Sequence, residues 1–496
     1  MRLATWSLAC LLAVTAPALA QQQVAPEAVA DVERILSHAK YKAAMTALGA
    51  DHDRIVAENI ALSEVPAPPF KEAAKAKAFF ELFSKLGLTD VSIDAEGNVT
   101  GLRKGKGGGP LLAIASHLDT VFPEGTNVKV KRDGDILRGP GIGDNSRGLA
   151  VMLGLVRALD AAKVETDSDI LFIASVGEEG LGDLRGMKHL FLKGPWKDKI
   201  KTFVAMDGLG LGNVMTTALG SKRYKLTFTG PGGHSYRAFG LVNPMYAMGH
   251  FMVDFAKTEV PELTTYNIGV IGGGTSVNSI PSEGSMEVDI RSVSPAEVEK
   301  VTQRMETLAR DAVETENKAR STKAGKIELK IELVGDRPAG STVNPFFGAR
   351  LPGAAAAPDT AARNSRLAGW AWQALIAQGV KPLLDTSSTD ANIAMSLGIP
   401  AITIASGSGD RMHALDEWLD VSKDNPGTAP FPTLPACQPQ RWRVCAQGAW
   451  RLCCWISSSW ACSVWASGSG WASCRWGCCG SCCRRSFPSS PFSTMA

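Results

Sequence analysis

The feature that most constrains the fold is a nearly continuous apolar run at residues 170–176, which is followed at once by a Gly-Glu-Glu-Gly turn. The run reads ILFIASV and is typical of a strand that helices cover on both faces of a parallel sheet. In such sheets ligands bind beyond the carboxyl ends of the strands, where Glu178 and Glu179 follow. Because adjacent carboxylates repel each other, we expect a positive group between them, although a solvated acidic turn would have the same sequence.

Polar residues also follow the other predicted buried strands, 111–115, 203–206 and 401–405, and one precedes a predicted helix. Together these positions are His117, Asp119, Asp144, Glu178, Glu179, Asp207 and His413. Two imidazoles and several carboxylates at one sheet edge suit zinc, cobalt or manganese better than copper or an iron–sulfur centre. The pattern therefore predicts an α/β fold with a metal site at the edge of its sheet.

The pattern of predicted strands and helices changes after residue 221. The predicted elements are a strand at 222–229, a helix at 244–256, strands at 264–271 and 284–290, a helix at 295–317 and a strand at 327–334. The order βαββαβ is that of a ferredoxin-like module. Strand and helix patterns resume afterwards, so we predict that this module is inserted into the larger α/β domain.

Charge and hydropathy limit the partners of the chain. Lysine and arginine number 52 against 49 acidic residues, which gives a net charge of +3. This excess of positive charge is too small to indicate binding to nucleic acid. Residues 1–20 have the basic start, apolar centre and Ala-Leu-Ala end of a cleavable secretory signal. No segment predicts a membrane span. We therefore expect a periplasmic or secreted protein that begins near Gln21 after cleavage.

The cysteines divide the chain. Cys10 lies in the signal and the other ten lie between Cys437 and Cys483, so a metal site in the body must use histidine and carboxylate ligands. The atypical tail, 426–496, is rich in Cys, Trp and Arg and shows no hydrophobic periodicity. A disulfide module and a cysteine-rich zinc site are two interpretations. We favour a third, out-of-frame translation of a GC-rich gene, because the adjacent cysteine pairs form no convincing framework.

Seven motifs, in order, resemble those of the M20 metallopeptidases, the relatives of peptidase T, carboxypeptidase G2 and succinyl-diaminopimelate desuccinylase. The motifs are SHLDTVFPEG, GPGIGDNSRGLA, SVGEEGLGD, AMDG, GPGGHSYRAFG, NSIPSEGSMEVDIR and STDANIAMSLGIPAITI with MHALDEW. The resemblance covers residues 64–420. It implies a catalytic domain with helices on both faces of a mixed, largely parallel sheet, in two parts at 21–218 and 337–425. A ferredoxin-like lid or dimerisation domain, 219–336, would separate them.

The resemblance also implies a pair of divalent metal ions, zinc first and cobalt or manganese as alternatives. Carried over by position, the ligands are His117 and Asp207 for one ion, Glu179 and His413 for the other, and Asp144 between them. Glu178 would be the general base on a water that bridges the ions, and Asp119 would orient His117. His234 would stabilise the oxyanion, often across a dimer, although a loop-capping histidine is the alternative.

Asn278 and Arg291 match family positions that hold the substrate's backbone or carboxylate, although Arg291 could equally be a solvated charge at a strand end. The implied activity is hydrolysis of short peptides by an exopeptidase, with removal of an acyl group from an amino acid as the alternative. A homodimer through the inserted module is expected. A third hypothesis is a peptide-binding homologue without catalysis, against which the intact Glu178, His117 and His413 argue.

Overall fold

The computed structural model describes residues 26–340 and 358–423; the predicted signal and the cysteine-rich tail lie outside these ranges. Four helices come first: α1 (Pro26–Ser37), α2 (Ala39–Ala50), α3 (His52–Ser63) and α4 (Ala73–Phe83). Two helices occupy the segment 27–50, whose composition predicts a helix. His38 separates them because its Nδ1 accepts the N–H of Lys40 at 3.2 Å and caps α2.

The first part of the large domain alternates strands and helices. Its elements are β1 (Thr89–Ile93), β2 (Val99–Arg103), β3 (Leu111–His117), β4 (Lys131–Asp133), β5 (Ile136–Arg138), α5 (Ser146–Ala161), β6 (Ile170–Ser175), α6 (Arg185–Leu192), β7 (Ile200–Met206) and β8 (Asn213–Ala218). Every residue of β6 is buried, as its nearly continuous apolar sequence predicts.

The inserted domain, residues 220–337, follows. Its elements are β9 (Gly220–Thr229), β10 (Gly233–His234), α7 (Pro244–Phe255), β11 (Thr264–Gly273), β12 (Ser279–Ile280), β13 (Glu283–Ser292), α8 (Pro295–Ala319) and β14 (Glu328–Arg337). The four long strands form an antiparallel sheet in the order β11-β13-β9-β14, with α7 and α8 packed on its apolar residues. Leaving aside the two-residue strands β10 and β12, this confirms the predicted βαββαβ module.

The chain then returns to the large domain. Its last described elements are α9 (Pro358–Ala377), β15 (Leu383–Ser387), α10 (Ala391–Ser396), β16 (Ala401–Ile404), β17 (Ser408–Asp410) and β18 (Trp418–Asp420). Strands β17, β18, β5 and β4 form a small antiparallel sheet of their own. Within the described ranges, no helix combines the length and the apolar character needed to cross a bilayer.

The main sheet has the order β1-β2-β6-β3-β7-β16-β8-β15. Strands β6, β3, β7 and β16 run parallel to their neighbours in the centre, whereas β1, β2 and β8 make antiparallel pairs. Successive residues of β6 face opposite sides: Phe172 joins the core under α5, and Leu171 joins the core under α6 and α10. The sheet is therefore mixed, mostly parallel and covered on both faces, as predicted.

Helix α5 is buried more completely than its sequence suggested. Leu149, Met152, Val156 and Leu159 recur at helical spacing and predict one buried face, but the structure buries 13 of its 16 residues. The reason is a further helical layer, because Leu48 of α2 and Ile55 of α3 pack on the outer side of α5 against Ala150 and Ala158. This packing fixes the position of the first turn of α5, next to the strand ends that carry the predicted site.

Candidate metal centre

The carboxyl ends of the central parallel strands bring the predicted acids and histidines together. His117 is the last residue of β3 and lies opposite Ser175, the last residue of β6. Asp207 follows β7 directly, and Glu178 and Glu179 lie in the acidic loop, residues 177–184, that follows β6. Because the strands are parallel and adjacent, residues far apart in sequence meet at one edge, as the strand-end argument predicted.

Two overlapping groups of ligand-type side chains form at this edge. One contains His117, Glu178 and Asp207, the other contains His117, Asp144 and Glu179, and in each the ligand atoms lie within 4.8 Å of one another. The Nε2 atom of His117 lies 3.0 Å from Asp144 Oδ1 and 3.2 Å from Asp207 Oδ1. His117 is almost completely buried, so these carboxylates surround it without intervening solvent.

His413 completes the site from the second part of the large domain. It lies in the loop between β17 and β18, where its Nε2 atom is 3.2 Å from both Asp144 Oδ2 and Glu179 Oε1. The carboxylate of Asp144 therefore lies between two imidazoles, one at each of its oxygens. The five residues that we predicted as metal ligands all meet here, and His413 is the exposed member of the set.

The chemistry of this donor set fits divalent cations. Hydrogen bonds to Asp144 and Glu179 raise the pKa of His413 to about 10. Burial opposes charge on His117, yet Asp207 and Asp144 outweigh it and raise the pKa of His117 well above its usual value. In the metal-free protein the carboxylates thus draw protons onto both imidazoles. A mixture of imidazole nitrogens and carboxylate oxygens that attracts positive charge is typical of zinc, cobalt or manganese sites.

Asp119 has a different set of contacts from the one expected. Its backbone carbonyl, and not its carboxylate, is the close partner of His117, at 3.0 Å from Nδ1; the carboxylate Oδ1 lies 3.8 Å away. The carboxylate instead accepts the backbone N–H groups of Glu178 at 3.1 Å and Glu179 at 2.7 Å. Asp119 therefore anchors both the histidine and the acidic loop.

A cavity of about 560 Å³ adjoins the ligand cluster, and its lining includes Glu178, His413 and three arginines, Arg223, Arg291 and Arg337. Arg291, a predicted substrate-binding residue, lies at this wall and donates to Asp289 at 2.6 Å. The cavity thus combines the acidic cluster with guanidinium groups that suit a carboxylate.

The structure does not bring the other two predicted residues to this cavity. His234 and Asn278 lie together on the short ribbon formed by β10 and β12, where the N–H of Ser235 donates to the Asn278 carbonyl at 3.0 Å. Both are exposed, and neither lines the cavity next to the ligand cluster. Within one chain, therefore, these two residues are separate from the candidate centre.

Sequence reasoning missed Arg337, which is buried at the end of β14. Its Nη1 lies 3.2 Å from Glu178 Oε1, and its Nη2 donates to the backbone carbonyl of Glu178. Burial raises the pKa of Glu178 well above its usual value, and Arg337 partly offsets this shift. No signal in the sequence distinguishes this arginine from a solvated strand end, because its burial requires the two domains to pack together.

Two further charged residues support the loop that carries Asp144. Glu417 accepts the N–H groups of Gly141, Gly143 and Asp144 at 2.7–2.9 Å, and burial raises its pKa to about 7. Lys75 of α4 is fully buried and donates to Ser146 at 3.0 Å. Burial lowers the pKa of Lys75 to about 8, although nearby carboxylates oppose the shift. The quoted motif MHALDEW contains Glu417, but its role becomes visible only when the loop is folded.

A family model places these observations in context. The model for peptidase family M20/M25/M40 matches residues 113–430, which include the five predicted ligands and the whole inserted domain. The chain belongs to this family. It is therefore an M20 metallohydrolase, a peptidase or an amidohydrolase, and the resemblance inferred from the motifs is confirmed.

Similar proteins agree in fold across most of the M20 chain. Protein YqjE of Bacillus subtilis strain 168 is 24% identical over 75% of this chain and 94% of its own length. The succinyl-diaminopimelate desuccinylase of Corynebacterium glutamicum is 24% identical over 73% of this chain and 90% of its own. The crystal structure of aminopeptidase PepT from Bacillus cereus ATCC 10987 superposes with a TM-score of 0.57 at 21% identity, covering 78% of this chain and 98% of PepT.

Proposed function

We propose that this M20 hydrolase is a di-metal exopeptidase that cleaves short peptides. The observation that carries the proposal is the position of the Asp144 carboxylate, with His117 at one oxygen and His413 at the other. A carboxylate placed in this way suits a ligand shared by two ions. A solved M20 peptidase of similar fold, YXEP of Bacillus subtilis, is described as binding a dinuclear metal (TM-score 0.53, 17% identity).

The proposed ligands are those implied by the sequence. His117 and Asp207 would hold one ion, Glu179 and His413 the other, with Asp144 shared between them. Zinc is the first candidate, with cobalt and manganese as alternatives. Such a pair, when bound, polarises a scissile carbonyl and lowers the pKa of water.

Glu178 is the proposed general base. It is buried beside the ligand cluster, where its carboxylate would accept a proton from the attacking water and deliver it to the leaving amine. Arg337 contacts one carboxylate oxygen of Glu178 and its backbone carbonyl, which restricts the side chain to one orientation. A base that is fixed in this way loses little conformational entropy when the reaction begins.

The cavity supports a small substrate that carries a carboxylate. Its volume of about 560 Å³ lies within the range of small-molecule pockets. Arg291 at its wall would bind a substrate carboxylate, as we predicted. An N-acyl amino acid also carries a carboxylate next to an amide bond, so an amidohydrolase acting on such compounds is the second candidate.

We also propose a homodimer through the inserted domain, in which His234 and Asn278 serve the cavity of the partner. The support is their position away from the cavity in their own chain, on a surface where Tyr236, Phe239 and Val277 are highly exposed. Exposed apolar side chains grouped in this way indicate a protein interface. His234 would then stabilise the oxyanion that forms in the partner's site. Export, the expectation from residues 1–20, remains part of the proposal.

The test uses purified protein from Gln21 onwards, loaded with Zn²⁺ or Co²⁺, and matched di- and tripeptides with free or blocked termini. We expect turnover that is lost after chelation and restored by metal. Glu178→Gln should lower kcat by a factor of about 10²–10⁴ while metal content stays unchanged. Glu124→Gln is the matched control, because Glu124 is exposed and, among the described residues, its carboxylate pairs only with Lys71.

The choice of substrates distinguishes the two candidates. Cleavage that requires a free terminal amine or carboxylate supports an exopeptidase, whereas cleavage that proceeds only with an N-acyl group supports the amidohydrolase. Metal binding without turnover of any substrate by the wild-type protein would contradict both.

A further inference from the structure

The acidic loop is held from the inserted domain as well as from its own sheet. On the sheet side, Asp119 accepts its N–H groups at Glu178 and Glu179. On the other side, Arg337 donates to the carbonyls of Glu178 and Gly180, and Arg223 also donates to Gly180. The loop that carries the proposed base is therefore a shared structural element of the two domains.

Asp183 makes the remaining contact with the inserted domain. Its Oδ1 atom accepts the backbone N–H of Asp336 at 2.8 Å, and its Oδ2 atom pairs with Lys188 of α6. Asp336 precedes Arg337 on β14, so the bond fixes the backbone immediately before the arginine that contacts Glu178. One side chain of the acidic loop thus sets where the end of β14 lies.

Backbone hydrogen bonds within the acidic loop connect its two ends and bring Asp183 close to the start of the loop. The N–H of Leu184 donates to the Gly177 carbonyl at 2.7 Å, and the N–H of Gly182 donates to the Glu179 carbonyl at 2.8 Å. Asp183 itself has φ of 55°, in the left-handed region. Because these bonds close the loop on itself, we expect a displacement at Asp183 to be passed on to Glu178.

We propose that Asp183 is a positioning residue that couples the inserted domain to Glu178. By holding the Asp336 amide, it keeps β14 where Arg337 can contact both the side chain and the carbonyl of the base. The inference rests on the proposed function, in which Glu178 is the general base. Asp183 is not in the cavity lining, so its effect is exerted through Arg337 and the acidic loop.

Two substitutions at position 183 distinguish loss of the hydrogen bond to the Asp336 amide from a change in backbone conformation. Asp183→Gly removes the side chain, and Asp183→Asn keeps an oxygen that can accept the Asp336 N–H; both residues tolerate the left-handed conformation. Lys188→Met is the matched control, because it removes the other partner of Asp183 and leaves the inserted domain untouched. The fold is tested at the same time by the thermal midpoint and the metal content of each variant.

For the peptide that the wild-type protein cleaves best, we expect Asp183→Gly to lower kcat about tenfold or more, with KM changed less than about threefold. Asp183→Asn and Lys188→Met should stay within about twofold of the wild-type kcat. Equal loss in Asp183→Gly and Asp183→Asn, or unchanged kcat in Asp183→Gly, would overturn the proposal.

Hydrogen exchange gives a readout that does not depend on turnover. In Asp183→Gly we expect faster exchange at the amide of Asp336 and also at those of Glu178 and Glu179, compared with Lys188→Met. Faster exchange at Asp336 alone would show that the contact is local and would overturn the coupling. If the wild-type protein cleaves no substrate, the proposed activity fails, and the exchange pattern still decides whether Asp183 couples the two domains.

Discussion

Asp390 is a buried carboxylic acid behind the metal centre. The hydroxyl of Ser175 donates to its Oδ2 atom, and its Oδ1 atom has no hydrogen-bond partner among the described residues. Burial raises the pKa of Asp390 to about 7, from 3.8 in a solvated chain. The folded protein therefore binds this proton more tightly than the unfolded chain does.

We predict that the contribution of Asp390 to the free energy of unfolding of the metal-free protein falls as the pH rises from about 4 to 7, because only the unfolded chain can ionise Asp390 freely over that interval. The contribution is roughly 4 kcal/mol at full ionisation. Asp390→Asn should remove this contribution, leaving that of Glu417, and should stabilise the protein at pH 7.5, as measured by denaturant midpoints across the pH range. A variant with the same pH dependence as the wild type would show that Asp390 is not the group involved.

The individual site residues differ in how far the sequence could predict them. His117, Asp144 and His413 follow apolar strands or lie in recognisable motifs, so their meeting at one edge follows from sheet topology. Arg337 and Lys75 could not be found in this way, because each becomes functional only through burial between elements distant in sequence. The carboxylate of Asp119 was assigned to His117, yet the nearer donors are two backbone N–H groups that sequence cannot place.

At the scale of elements, α5 packs on β3 and β7 with almost no space at Gly148. A Cβ atom there would lie 2.3 Å from Ser116 Oγ and 2.8 Å from the carbonyl oxygen of Met206. This close approach lets the first turn of α5 reach the strand ends and carry Asp144 to the metal centre. In a helix a glycine is otherwise a cost, so its presence here has a packing reason.

We predict that Gly148→Ala destabilises the protein by about 1–3 kcal/mol, because α5 must move away from the sheet. Gly49→Ala in α2 is the matched control: nothing lies within 4 Å of its added Cβ atom, and the protein should gain about 0.5–1 kcal/mol. Thermal midpoints of both metal-free variants test this. If Gly148→Ala is as stable as Gly49→Ala, the contact between α5 and the sheet is looser than described.

The elements themselves were largely predictable, since their periodicity is local. The βαββαβ order of the inserted domain follows from alternation and helical spacing alone. The coverage of α5 by α2 and α3 could not be predicted in this way. The outer face of α5 is apolar through small residues such as Ala150 and Ala158, which also suit a solvated helix.

At the scale of the whole molecule, the proposed dimer can be tested by mixing two inactive variants. His234→Ala and Glu178→Gln should each be nearly inactive alone, but mixing them after subunit exchange should restore about a quarter of wild-type activity, because half of the dimers contain one complete site. Kinetic assays and mass measurement of the mixture test this. Mixing Glu178→Gln with Asp144→Asn is the control, since both defects lie in the same chain's centre and no complete site can form. Exchange without recovery would show that His234 acts in the site of its own chain and would contradict its proposed role in the partner's site.

The place of β16 in the main sheet has a consequence for biosynthesis. Residues 401–404 fill the position between β7 and β8, pairing parallel with Phe203 and its neighbours and antiparallel with Met215 and Val214. While the ribosome is still translating the inserted domain, β7 and β8 expose unpaired edges to the cytosol, the kind of surface that recruits foreign strands. Closing that gap joins segments nearly 200 residues apart, which makes it a slow step. We therefore expect the chain to be prone to aggregation until its second catalytic segment has been synthesised.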